Sequence, residues 1–249
     1  MRRVKANLLK VFPYLFGFAL GWLLMNPPEC FRALGAARYL VVALLCFGLL
    51  VGVLMMLISA NLPADLQVTP APDLPLGDLQ PLADQVLALG FAAAGPPLRV
   101  GVSPPGIILP YCHDAWATYA MIFKTGTVPA KISYEFVTML EKDDGSLTSS
   151  AAAAADVFPL MPGERRQVFP DATVEALFQQ HAAAVTWLHD QGHYRRAVNP
   201  ETFIPDMKAA FAKKRKHFFS SPLRMTLSVL VNSAAKKVPH RGPLSEQKA

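Results

Sequence analysis

The sequence predicts a membrane-anchored α+β protein, in which two N-terminal transmembrane helices precede a small antiparallel sheet packed with helices. Three observations support this prediction. Two long apolar runs lie in the first 60 residues, strand-like alternation follows in the middle of the chain, and helical periodicity begins near residue 173. The composition agrees, because 52% of the 249 residues are hydrophobic and 17% are charged, against about 25% charged residues in an ordinary soluble domain.

The two apolar runs have the character of membrane helices. Residues 39–60 contain no charge and no proline, and a helix of that length rises about 33 Å, enough for a hydrocarbon core of about 30 Å. The other run covers about residues 9–25 and ends at Asn26, Pro27 and Pro28. A cleaved signal peptide is the alternative for this first run, but no small-residue cleavage site precedes Glu29. We therefore expect a transmembrane hairpin over residues 1–61.

Each apolar run contains two glycines four residues apart. The pairs are Gly17 with Gly21, and Gly48 with Gly52. Glycines at this spacing remove side chains from one face of a helix and allow two backbones to approach closely. They predict packing of the two helices on each other, on a second copy of the chain, or on another membrane protein. Glycine is also frequent in membrane helices in general, which is the alternative explanation.

Charge divides the chain into three parts. Residues 1–61 carry a net charge of +5, residues 62–198 a net of −6, and residues 199–249 a net of +7. The basic ends predict the bilayer and its anionic lipid headgroups as partners; we expect no nucleic acid, because no recognisable nucleic-acid module is present. The positive-inside rule places the N-terminus, and with it the main domain, on the cytoplasmic side of the plasma (inner) membrane. Three cysteines do not suggest a disulfide framework.

The remaining chain is predicted to form three regions. Residues 62–81 form a proline-rich linker, residues 82–198 an α+β domain, and residues 199–249 a basic amphipathic helical region. Alternation predicts antiparallel strands, and the 3.6-residue period predicts helices packed on one face of the sheet. The expected strands cover residues 98–102, 116–123, 131–140 and 147–152, and the expected helices cover residues 82–89, 173–191 and 205–219.

Cys112 and His113 lie in the densest cluster of reactive side chains, residues 111–114. A cysteine beside a histidine raises the possibility of a nucleophile and its base. However, catalytic pairs meet through the fold, and adjacent side chains on a strand point to opposite faces. We expect a polar turn between Pro110 and the strand that begins at Trp116.

His181, His189 and His193 are the candidates for metal ligands. His189 and His193 are four residues apart, and His181 precedes His189 by eight, which places them near one another on a helical wheel. Gly192 should end the helix between the last two, and His181 lies on the apolar stripe, as a hydrogen-bonded core histidine would. The sequence therefore favours a structural histidine, and we expect neither metal nor cofactor.

The basic C-terminal region provides the most interpretable binding site. The candidates for contact with anionic lipid are Lys213, Lys214, Arg215, Lys216, Lys236 and Lys237. Basic side chains on a helix, with Phe218 and Phe219 beside them, suit an anionic headgroup layer. A solvated charged helix end is the alternative.

Together these observations predict a non-catalytic, membrane-anchored scaffold or ligand-binding protein with a cytoplasmic α+β domain. Two alternatives remain open. One is a membrane-tethered enzyme, such as a hydrolase that uses Cys112 and a histidine. The other is a subunit of a larger membrane complex in which the glycine pairs form the docking faces.

Overall fold

The computed structural model describes residues 37–61, 65–101, 106–126, 131–141, 145–151, 160–222, 224–228 and 242–246. The chain divides into two compact units, residues 1–54 and 55–249. Among the described residues, the first unit consists of most of helix α1, Ala37–Asn61. Gly48 and Gly52 are exposed on this helix, and a Cβ atom at either would meet no atom within 4 Å. Gly17 and Gly21 lie outside the described residues.

The predicted transmembrane hairpin is not supported. In the described ranges, no helix is both long enough and apolar enough to cross a membrane. The span predicted over residues 39–60 is therefore not upheld. The span predicted over residues 9–25 lies outside the described residues.

Among the residues that the structure describes, the second unit contains an eight-stranded sheet, three named helices and a further helical stretch at residues 224–228. The strands are β1 (Val68–Pro70), β2 (Ala92–Ala93), β3 (Leu98–Val100), β4 (Gly106–His113), β5 (Thr118–Thr125), β6 (Lys131–Met139), β7 (Ser146–Ser150) and β8 (Glu164–Val168). The helices are α2 (Gln80–Ala88), α3 (Val174–Asp190) and α4 (Pro200–Ser220). Single 3-10 turns lie at Gly77–Leu79, Asp114–Trp116 and Leu244–Glu246.

The sheet is large and mixed, so the predicted small antiparallel sheet is wrong. Its order is β1-β3-β4-β5-β6-β7-β8, with β2 pairing β4, and every pair is antiparallel except β7 with β8. A parallel pair requires a crossover connection between its two strands, and residues 151–163 separate β7 from β8 in the sequence. The alanine run at 151–155 has no hydrophobic period that would predict it.

Helices cover both faces of the sheet, whereas the sequence predicts one covered face. On the first face, Ile122 and Phe136 pack with α2 and the start of α3; on the second, Ile108 and Tyr119 pack with α4. Alternation along β4 and β5 explains this arrangement, because successive side chains point to opposite faces and both sets are largely apolar. The domain is therefore a three-layer α/β/α sandwich.

Helix α3 agrees with its predicted bounds, whereas helix α4 begins earlier than predicted. Helix α3 begins and ends close to the predicted bounds: the Thr173 hydroxyl accepts a hydrogen bond from the Ala176 N–H, and Gly192 follows the helix with a φ of 78°. Helix α4 begins five residues before the predicted Pro205. The true start is set by Asn199, which forms a reciprocal capping box with Thr202, a stronger start signal than an internal proline.

Residues 111–113 belong to strand β4, so the predicted polar turn begins later, at Asp114. Pro110 obscures this strand in the sequence because proline lacks an N–H for the ladder. In the structure its carbonyl accepts a hydrogen bond from the Ala94 N–H. Its nitrogen therefore faces the connection between β2 and β3, where a missing donor costs little. Residues 62–81, predicted as a linker, also contribute strand β1 and the buried Leu66 and Leu79.

Candidate functional site

His181 lies at the centre of a buried polar network between α3 and the sheet. The residue is fully buried. Its Nε2 atom lies 2.8 Å from the Thr138 hydroxyl on β6, and its Nδ1 atom lies 2.7 Å from the Ser149 hydroxyl on β7. The network continues from Thr138 to the Thr118 hydroxyl at 2.7 Å, and from Ser149 to the Gln167 amide at 2.7 Å.

The groups at the two ends of the network, Thr118 and Gln167, determine which partner donates in each of its hydrogen bonds. The Thr118 hydroxyl donates to the Trp116 carbonyl, so it accepts from Thr138. Because Thr138 donates its single hydroxyl proton to Thr118, it accepts a hydrogen bond from His181 Nε2–H. At the other end Gln167 donates its amide N–H to Ser149. Ser149 in turn donates to the bare Nδ1 atom, which makes His181 a neutral Nε2–H tautomer.

Burial and hydrogen bonding both keep this imidazole neutral. Burial alone lowers the pKa of His181 from 6.5 to about 3, because a charged imidazolium would lose its hydration. The distance between Ser149 and His181 is that of a nucleophile and its base. Both side chains are fully buried, however, and the serine proton already faces Nδ1 within a closed chain. The pair is arranged to join α3 to the sheet.

Cys112 and His113 are kept apart by the strand that carries both. Cys112 is 3% exposed and packs in the core between the sheet and α4, and burial raises the pKa of its thiol. His113 points to the other face, where its ring lies 5.1 Å from that of Phe91 and 6.3 Å from that of Phe178. A thiol with a raised pKa and no imidazole beside it is a poor nucleophile.

The three histidines that are candidates for metal ligands do not converge. His189 is exposed beside the ring of Tyr194, at 5.4 Å, and the His193 Nε2 atom lies 2.9 Å from a guanidinium nitrogen of Arg165. His181 is enclosed in its own network. Throughout the described ranges, no group of three or more histidine, cysteine or acidic side chains could hold a metal ion.

A second polar cluster, not predicted from the sequence, fastens α4 to the sheet. The buried Tyr119 hydroxyl lies 2.7 Å from the Thr202 hydroxyl and donates to a carboxylate oxygen of Asp206 at 2.9 Å. Arg196 binds the same carboxylate oxygen at 2.7 Å. Burial raises the pKa of Tyr119 above its usual range. Residues so far apart in the chain share no local pattern, so only the fold brings them together.

The basic half of α4 is the part of the predicted binding surface that the structure describes. Lys216 is exposed, whereas Lys213, Lys214 and Arg215 are half-buried. The Arg215 guanidinium carbon lies 4.7 Å from the ring centroid of Phe219, a cation–π contact. Phe218, on the neighbouring position, is buried and anchors this end of the helix. Lys236 and Lys237 lie outside the described residues.

No protein family matches this chain, and no similar protein is found among curated proteins or among solved structures.

Proposed function

We propose that this protein is a non-catalytic binding module whose ligand is an anionic surface of the kind formed by phospholipid headgroups. Contact with headgroups requires no membrane-spanning segment. The observation that carries the proposal is the basic half of α4, where lysines surround an arginine held over an aromatic ring. Arginine and lysine near such a surface each contribute about 1 kcal/mol.

The charge pattern around α4 supports an anionic ligand. Residues 207–245 contain nine lysines and arginines and no aspartate or glutamate. No acidic residue lies within this stretch of the sequence, and the side chains of Lys213, Lys214 and Arg215 are partly covered, as expected of long basic residues that pack their methylenes against the protein. The stretch is therefore suited to several simultaneous contacts with phosphate groups.

The reactive side chains support binding over catalysis. The Cys112 thiol and the His113 ring lie on opposite faces of the sheet. Ser149 and His181 are in contact but fully buried in the domain, so no substrate atom can approach the hydroxyl. A hydrolase would need a nucleophile and a base that meet at an accessible position, and neither of these two pairs meets that requirement.

The test is binding of the full chain to vesicles with matched charge variants. Vesicles of neutral phosphatidylcholine measure binding that does not depend on charge, and vesicles with added phosphatidylglycerol measure the charged part. The double variant Lys213→Gln, Lys216→Gln should bind the anionic vesicles about 30-fold more weakly, since two charges contribute about 2 kcal/mol. The matched control is Arg99→Gln, Lys131→Gln, which removes the same net charge from exposed positions in the sheet.

Three results would contradict the proposal. Equal binding to neutral and anionic vesicles would exclude an anionic headgroup as the ligand. Equal losses in the two double variants would show that net charge acts without a specific surface. If double-stranded DNA displaced the protein from anionic vesicles, and bound it with a steeper dependence on salt, the ligand would be nucleic acid.

A further inference from the structure

A short C-terminal segment, residues 242–246, lies in the groove between the edge of β8 and helix α3. The Gly242 N–H donates to the Val168 carbonyl at 3.1 Å, and the Leu244 N–H donates to the Gln167 side-chain oxygen at 3.1 Å. The Leu244 side chain packs against a small apolar cluster beneath α3. This cluster consists of Leu140, Leu147, Ala184, Val185 and Leu188. A main-chain hydrogen bond to β8, a hydrogen bond to the Gln167 side chain and the packed Leu244 side chain therefore hold the segment.

The groove presents a preformed acceptor to this segment. Gln167 is fully buried, and its amide nitrogen donates to the Ser149 hydroxyl at 2.7 Å and to the Gln180 carbonyl at 3.0 Å. Rotating the amide by 180° would place its oxygen against the Gln180 carbonyl, two acceptors facing each other. The side-chain oxygen must therefore point to Leu244. The buried histidine network thus orients the group that receives the segment.

The recognition is local, which means that another copy of the same segment would fit equally well. All the contacts above come from residues Gly242 and Leu244, and the intervening Pro243 needs no N–H donor. In peptide recognition, main-chain hydrogen bonds commonly supply affinity and a side-chain pocket supplies specificity; here the pocket receives Leu244, the first residue of the 3-10 turn Leu244–Glu246. Exchange of an identical segment between two chains creates a dimer without any new type of contact.

We propose that the groove between β8 and α3 is a peptide-binding site that takes the segment 242–246 of a second copy of this chain in exchange for its own. This inference does not depend on the proposed headgroup binding. The resident segment competes with the incoming one as an intramolecular ligand, so a variant that releases it should bind the segment of another chain more tightly.

The test uses a fluorescent peptide of residues 240–249 and full chains in which the resident segment is released. Leu244→Asp removes the anchoring side chain, so the peptide should bind this variant at least about tenfold more tightly than the wild type. On binding, the methyl resonances of Val185 and Leu188 should shift, which locates the peptide in the groove. A peptide that carries aspartate in place of leucine is the matched control and should bind neither protein.

Two outcomes would overturn the proposal. If the peptide binds Leu244→Asp no better than the aspartate-bearing control peptide does, the groove is not a peptide site. If the wild type forms no dimer at its highest soluble concentration, or forms one that Leu244→Asp forms equally, exchange with a second copy is wrong. If Leu244→Asp fails to fold by circular dichroism, Gly242→Pro replaces it, because proline cannot adopt the φ of 95° found there and the core is left unchanged.

Discussion

Mild acid should destabilise this domain through a single buried histidine. In the folded protein the pKa of His181 is lowered to about 3 by burial, and in the unfolded chain it returns to 6.5. At a pH between these two values, the His181 imidazole is protonated in the unfolded state and neutral in the folded state. Stability that depends on neutral His181 is therefore fully present above pH 6.5 and is lost progressively as the pH falls toward 3.

The size of the effect at pH 5 follows from the unfolded pKa almost alone. At that pH the folded imidazole is still neutral, whereas the unfolded imidazole is protonated more than nine times in ten, on the order expected for a pKa of about 6.5. Lowering the pH from 7 to 5 therefore costs about 2 kcal/mol in the free energy of unfolding. With an m-value of about 2 kcal/mol per molar, the urea midpoint should fall by about 1 M.

The assay is urea unfolding of the wild type and of His181→Gln at pH 7 and pH 5. All other titrating groups are common to both proteins, so their contributions cancel in the difference between the two pH dependences. The wild type should lose about 2 kcal/mol more than the variant. Identical pH dependences would refute the assignment of a neutral, buried His181. If the variant does not fold, the His181 ring proton resonances of the wild type, followed by NMR, should show no titration down to pH 5.

Three further predictions test other parts of the domain. The Cys112 thiol should resist alkylation in the native protein and react on denaturation, in a background where the other two cysteines are serine; rapid native labelling would show that the thiol is accessible. Leu177→Ala should cost about 2–5 kcal/mol in urea unfolding, because the side chain is fully buried; Leu87→Ala, at a position 46% exposed, is the control, and equal losses would contradict the assigned core. Thr173→Ala should cost about 1 kcal/mol through loss of the α3 cap, and an unchanged urea midpoint would show that the cap contributes nothing.

Local sequence patterns predict the elements whose signals lie within one segment. The apolar stripe of α3, from Val174 to Leu188, follows the helical period, and Thr173 and Gly192 mark its ends. Alternation alone predicts strand β6 to within one residue. These signals can be recognised because a helix or strand buries one face, and the buried residues recur along the sequence with the period of that face.

Patterns of composition are less reliable where the fold overrides them. Proline within 62–81 suggests a linker, yet Pro70 ends an edge strand, where a missing N–H costs little. The apolar run at 39–60 suggests a membrane span that the described residues do not support. The parallel pairing of β7 with β8 has no local signal, because strand order depends on connections between segments.

The sequence by itself determined helix α3 with both of its ends, the strand alternation of β6 and the basic character of α4. Only the tertiary structure decided which side chains meet. It placed Thr138, Ser149 and His181 in one hydrogen-bonded chain, separated Cys112 from His113, and brought Leu244 to Gln167. The reason is physical: periodicity is set by neighbouring residues, whereas these contacts depend on strand register and helix packing between segments up to 77 residues apart.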